Sequence, residues 1–95
     1  MAMMRSYVMI AAPGQIDILE QALRELAAKI SACDGTEGTE LYQDLDHPEH
    51  LTFLERWTSP EAQEAAGKVL GKEAFAPIMA ALAAPPTATS LGRLI

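Results

Sequence analysis

Basic residues, cysteine and long apolar runs are all scarce in this chain, and each scarcity removes a class of function. Seven Lys plus Arg stand against thirteen Asp plus Glu, a net charge of −6, which repels phosphate backbones and anionic lipid surfaces. Neither nucleic acid nor a membrane surface is therefore an expected partner. The single cysteine, Cys33, cannot form an internal disulfide, and no zinc-type Cys/His spacing surrounds it, so a reduced, cytoplasmic protein is expected. Near the start, "MAMMRSYVMIAAPG" has one Arg ahead of the short apolar stretch from Tyr7 to Ala12, too little for a signal peptide. No stretch approaches the roughly 20 apolar residues of a membrane span. Glycine-rich phosphate loops, G-x-S-x-G and a Cys–His pair are likewise absent, which leaves no nucleotide motif and no activated nucleophile. The two histidines, His47 and His50, fall in "HPEH", a turn with no helix to converge their rings, so no metal site is expected there.

What is present describes one small globular domain over residues 1–95, with 49% apolar and 21% charged residues. Its core is thin: a chain this size buries roughly two thirds of the surface its unfolded form exposes. Residues 6–12, "SYVMIAA", read as a central strand buried on both sides and closed by Pro13 and Gly14. From Gln15 to Ser31 the apolar residues Ile16, Leu19, Leu23, Leu26 and Ile30 recur at helical spacing. "TELYQDL", residues 39–45, alternates as a strand, and "DHPEH", residues 46–50, turns the chain. "LTFLERW", residues 51–57, pairs back as a hairpin. Ser59, Pro60 and Glu61 then start a helix running to about Leu70, with Ser as N-cap and an acid in the first turn. Gly71 interrupts it, and "KEAFAPIMAALAA" forms a second helical piece that Pro85 and Pro86 stop. "TATSLGRLI" is the last strand, weakened by Gly92.

The resulting order, β-α-β-β-α-β, is the ferredoxin-like α+β arrangement: one four-stranded antiparallel sheet with helices on one face. Helices cover only one face, yet the first strand is apolar on both. A second copy of the chain, forming a homodimer, is the expected cover.

Among residues able to carry chemistry, Trp57 offers a large flat surface for stacking a planar ligand, or alternatively fills the core between sheet and helices. Strand alternation puts Phe53, Glu55 and Trp57 on one face. A carboxylate between two aromatics either lines a cavity, where burial raises its pKa toward that of a general base, or is neutralised by an ion pair. Tyr7 and Tyr42 each either donate a phenolic O–H into a cavity or stand half-buried with the hydroxyl in water.

"PGQIDILEQALRELA", "FAPIMAALAAPP" and above all "ELYQDLDHPEHLTFLERW", residues 40–57, resemble the antibiotic biosynthesis monooxygenase family. The last of these matches a Tyr-x-x-x-x-Asp-x-P hairpin followed by a strand ending Glu-x-Trp. The resemblance implies a dimeric α+β barrel with a pocket between sheet and helices in each subunit. Its members include cofactor-independent monooxygenases of aromatic polyketides, in which the substrate's own phenolate or enolate reduces O₂, and haem-degrading relatives. The implied activity is a cofactor-independent monooxygenase on a small aromatic or enolisable compound, with no cofactor and no metal; the alternative is a non-catalytic ligand-binding or scaffold dimer. Carried over by position, Trp57 matches the family's pocket tryptophan and Glu55 its accompanying glutamate, the expected catalytic pair; Phe53 is expected to shape the substrate pocket, with Tyr7, Tyr42 and Gln63 as hydrogen-bonding partners of the substrate. The chain contains no Asn, so the ligand-bonding amide of the monooxygenase and haem-degrading branches is missing, and Phe53 stands in its place. "EAQEAAGKVLGKEAF" has no His, which disfavours haem degradation.

Overall fold

A computed structural model of the chain describes residues 2–95. It contains β1 (Met3–Ile10), α1 (Ile16–Ile30), β2 (Thr36–Gln43), β3 (His50–Trp57), α2 (Pro60–Leu70), a 3₁₀ turn (Lys72–Ala74), α3 (Ala76–Ala80) and β4 (Thr87–Gly92). The sheet has the order β2-β3-β1-β4, all neighbours antiparallel, so the expected ferredoxin-like α+β architecture is the observed one.

β1 is central, as expected, but it begins at Met3 rather than Ser6 and its two sides differ. Met9 is buried beneath the helices, whereas Val8 and Ile10 are 42% and 38% exposed on the other face. The apolar run from Tyr7 to Ala12 hides this asymmetry, because hydropathy alone does not separate a helix-covered face from an open one.

α1 buries Leu19, Ala22, Leu23, Leu26 and Ile30 along one stripe, while Glu20 and Arg24 pair at 2.9 Å on its solvated side. β2 starts three residues earlier than its alternation suggests. Gly35 and Gly38 take left-handed φ values of 81° and 113°, and a bulge between Thr36 and Gly38 absorbs Glu37. Gly35 is also a close approach: a Cβ there would lie 2.6 Å from that of Ala62, while its carbonyl accepts from the Thr58 N–H at 2.9 Å. Leu45 lies beyond the strand and is fully exposed.

β3 alternates strictly, with Leu51, Phe53, Glu55 and Trp57 all buried against the helices. The Ser59 hydroxyl caps α2 by accepting from the Ala62 N–H at 3.1 Å, with Pro60 at the first helical position. The second helical piece is shorter than its composition suggests. α3 closes at Ala80, and the chain after it turns back to the sheet, where Ala83 N–H donates to the Ile10 carbonyl and Ala12 N–H to that of Ala81. Those bonds satisfy more backbone groups than another helical turn before Pro85 could. β4 spans only Thr87–Gly92 and is exposed throughout.

Candidate active site

The strict alternation of β3 sets the site. Phe53 and Trp57 are each 1% exposed, and Glu55 between them is 3% exposed, the one buried charged residue among those described. Antiparallel register places Tyr7 opposite Phe53, Arg5 opposite Glu55 and Met3 opposite Trp57 on the same side of the sheet. α2 brings Gln63 and Ala66 over this side, and Phe75, between the 3₁₀ turn and α3, joins them.

The Trp57 indole Nε1–H donates to Glu55 Oε1 at 3.0 Å, the only side-chain hydrogen bond that reaches this carboxylate among the described residues. Arg5 forms no ion pair with it. The guanidinium instead donates from Nε to the Tyr7 hydroxyl at 3.4 Å and from Nη1 to Ser90 Oγ at 2.7 Å, with its carbon 5.4 Å from the centre of the Tyr7 ring. Burial therefore dominates and pushes the Glu55 carboxyl above its ordinary 4.5, against opposing contributions from the Trp57 hydrogen bond and the Arg5 charge. Tyr7 is pushed up by burial and by Glu55, with Arg5 opposing, so its hydroxyl keeps its proton near neutral pH.

Two small cavities lie here, and Tyr7 and Phe75 line both. The smaller lobe, about 20 Å³, places Glu55 and Gln63 among the apolar groups of Ile30, Trp57, Ala66 and Leu70. The apolar lobe, about 160 Å³, is lined by Met9, Leu26, Phe53, Ile78 and Met79.

Five of the six residues expected at the site thus converge: Tyr7, Phe53, Glu55, Trp57 and Gln63 all border the two lobes. Tyr42 does not join them. It lies on the opposite face of the sheet, 54% exposed, and its hydroxyl donates to Glu40 at 2.7 Å beside Arg56. In that cluster Glu40 is held low by its bonds from Tyr42 and Arg56, while Tyr42 is raised by Glu40. The period-two pattern of β2 groups Tyr42 with Glu40 but does not say which face the helices cover. His47 and His50 stack at 5.2 Å in the hairpin turn.

Sequence reasoning missed Arg5 and Phe75. Arg5 was hidden by placing the start of β1 at Ser6; the pairing of β1 with β3 brings it opposite Glu55. Phe75 enters because the 3₁₀ turn after Gly71 redirects the chain over the sheet.

Comparison of the sequence with curated proteins finds no match. Among solved structures, a protein of Mycobacterium tuberculosis superposes with a TM-score of 0.87 at 20% identity, covering 100% of this chain and 97% of that one. A Pseudomonas aeruginosa protein superposes with a TM-score of 0.82 at 26% identity, covering 99% and 95%. SnoaB, a cofactor-independent oxygenase from Streptomyces nogalater, in a mutant form, has a TM-score of 0.83 at 11% identity, covering 99% and 94%. Residues 1–68 match the family profile described as antibiotic biosynthesis monooxygenase, so the chain belongs to the antibiotic biosynthesis monooxygenase family.

Proposed function

We propose that this protein is a cofactor-independent monooxygenase that oxidises a small aromatic or enolisable compound in the cleft under α2 and α3. The observation that carries the reading is Glu55, a buried carboxylate with no cationic partner in contact, anchored by Trp57 and bordering a cavity. Buried carboxylates left without a partner are costly, and a raised proton affinity at a cavity wall suits a general base.

In the proposed reaction, Glu55 takes a proton from an activated CH₂ or phenolic O–H of the substrate. The resulting anion gives an electron to O₂, and recombination of the radical pair forms a carbon–oxygen bond as a peroxide. Protonated Glu55 returns its proton to the peroxide, and at a former CH₂ carbon the hydroperoxide loses water to leave a ketone. One oxygen atom enters the product and the other leaves as water, so no external reductant is consumed. Trp57 keeps the carboxylate oriented, and Phe53 shapes the apolar wall. The family and the structural likeness to an oxygenase support this reading at the level of reaction class.

We further infer that two copies associate through the open sheet face, where Val8, Ile10 and Leu91 are exposed together. Light scattering at micromolar concentration is expected to give twice the 10.2 kDa chain mass; the mass of one chain overturns the inference. The lone cysteine favours a reducing, cytoplasmic setting.

The activity is tested by dioxygen consumption against hydroquinones and anthrones, with isotopically labelled O₂ followed into the product, for wild type, Trp57→Ala and Glu55→Gln. Wild type is expected to incorporate one labelled atom, and the variants to lose the acceleration. Equal rates in all three remove these residues from the mechanism, and a wild-type rate no faster than the uncatalysed reaction leaves a non-catalytic ligand-binding protein.

A further inference from the structure

Arg5 stands between two partners and takes the neutral one. Antiparallel pairing puts it directly opposite Glu55 on β3 and directly opposite Ser90 on β4, so all three side chains leave the same side of the sheet. Directly opposite residues have Cβ atoms only about 5 Å apart, which lets a guanidinium reach either neighbour without any backbone movement. The guanidinium nonetheless donates to the Ser90 hydroxyl at 2.7 Å and to the Tyr7 hydroxyl at 3.4 Å, while the carboxylate receives only the Trp57 N–H.

The reason lies in burial. Ser90 is exposed on the edge strand, whereas Glu55 is buried. A guanidinium turned toward Ser90 keeps part of its hydration; one turned toward Glu55 gives it up, and that desolvation offsets much of the attraction between the charges. Between two orientations balanced in this way, one charge-assisted hydrogen bond from Arg5 to Ser90 decides. The other elements packed around Glu55 bring Ile30 from α1, Gln63, Ala66 and Leu70 from α2, Phe75, and Thr39 from β2. None of these is charged, and the Tyr7 phenol keeps its proton near neutral pH, so Arg5 is the one cation facing Glu55 among the described residues.

We propose that Ser90 is a positioning residue: it holds Arg5 toward β4 and so leaves Glu55 as a carboxylate without a cation in contact. An Arg5 bonded to Glu55 would favour the anion and make it a weaker proton acceptor. Ser90 acts only through Arg5. The catalytic consequence rests on the proposed function, whereas the choice Arg5 makes between its two neighbours does not.

The test is an NMR titration of the isotopically labelled Glu55 side-chain carboxyl, identified by its disappearance in Glu55→Gln. Ser90→Ala is expected to release Arg5 onto Glu55 and to lower its proton affinity about tenfold or more; the acid limb of hydroquinone oxidation should move to lower pH with it. Ser90→Thr, which keeps the hydroxyl, is expected to titrate like the wild type. Adding Arg5→Met to Ser90→Ala is expected to abolish the drop, because no cation is left to move. An unchanged midpoint in Ser90→Ala, a Ser90→Thr that titrates like Ser90→Ala, or a drop that survives Arg5→Met overturns the proposal. The unaltered protein gives a check that depends on no variant folding: a Glu55 midpoint at or below 4.5 shows Arg5 already paired with it in solution and overturns the proposal as well. Midpoints that respond as expected, in a protein that consumes no oxygen with any hydroquinone, overturn the oxygenase reading and leave the role of Ser90 standing.

Discussion

Replacing Glu55 by Gln should stabilise the protein at pH 8 and leave it nearly unchanged at pH 4. The two side chains have almost the same volume, and the Gln carbonyl can still accept from Trp57 Nε1, so packing and the 3.0 Å hydrogen bond survive. What changes is the charge. Burial raises the folded proton affinity of Glu55 above 4.5, so in the interval above 4.5 the folded protein holds a proton that the unfolded chain has released. Stability then falls as pH rises through that interval and levels off above the folded pKa; none is regained at higher pH. Each unit of such elevation corresponds to about 1.4 kcal/mol. Gln carries no such slope, and the cavity of about 20 Å³ that residue 55 lines is large enough for a single water to partner the added N–H₂. Removing a buried charge with no cationic contact is expected to yield about 1–3 kcal/mol at pH 8, or a rise in melting temperature of about 4–8 °C per kcal/mol for a domain of this size. The assay is urea unfolding of both proteins at fixed concentration across pH 4 to 8, because association makes apparent stability depend on concentration. A Gln variant less stable than wild type at pH 8, with the deficit growing as pH rises, would refute the reasoning: Glu55 would then be stabilised as an anion by an ion pair, and its role structural.

Gly35→Ala should cost about 2–4 kcal/mol in the same assay, because φ of 81° disfavours a Cβ that would also lie 2.6 Å from Ala62; a loss under about 0.5 kcal/mol contradicts the close packing of this turn on α2. Trp57→Phe removes the hydrogen bond that lowers the Glu55 pKa, so the acid limb of the activity profile should move to higher pH; a limb that stays in place shows that Glu55 does not titrate in it. Tyr42→Phe lies on the far face of the sheet from the cleft and should leave kcat/KM unchanged, whereas a large loss would place substrate on that open face.

Much of the fold was legible because local and long-range signals agree. The spacing of Leu19, Leu23, Leu26 and Ile30 fits a helix, and the Ser59-Pro60 start of α2 matches its capping bond. β3 was equally plain, since Phe53, Glu55 and Trp57 alternate with Leu54 and Arg56 and the carboxylate stands out among aromatics. Face assignment was less legible. Tyr42 and Tyr7 sit in similar strand contexts, and only the pairing of β2 and β1 with β3 tells that Tyr7 lies beneath the helices and Tyr42 outside. The same register brings Arg5 opposite Glu55, a relation across some fifty residues of sequence that no local pattern carries. The short α3 also escaped composition, because an alanine-rich run favours helix while the backbone of Ala81 and Ala83 bonds to the chain at Ile10 and Ala12.

Whether Glu55 acts as the base is measured most directly by the pH dependence of kcat/KM for hydroquinone oxidation, corrected for the uncatalysed reaction. Wild type is expected to show an acid limb displaced above the ordinary 4.5 of a glutamate, with activity rising as Glu55 ionises, and Glu55→Gln is expected to lose the limb and about 10²–10⁴-fold in rate. A Glu55→Gln variant that keeps the wild-type limb and stays within about twofold of the wild-type rate would contradict that role.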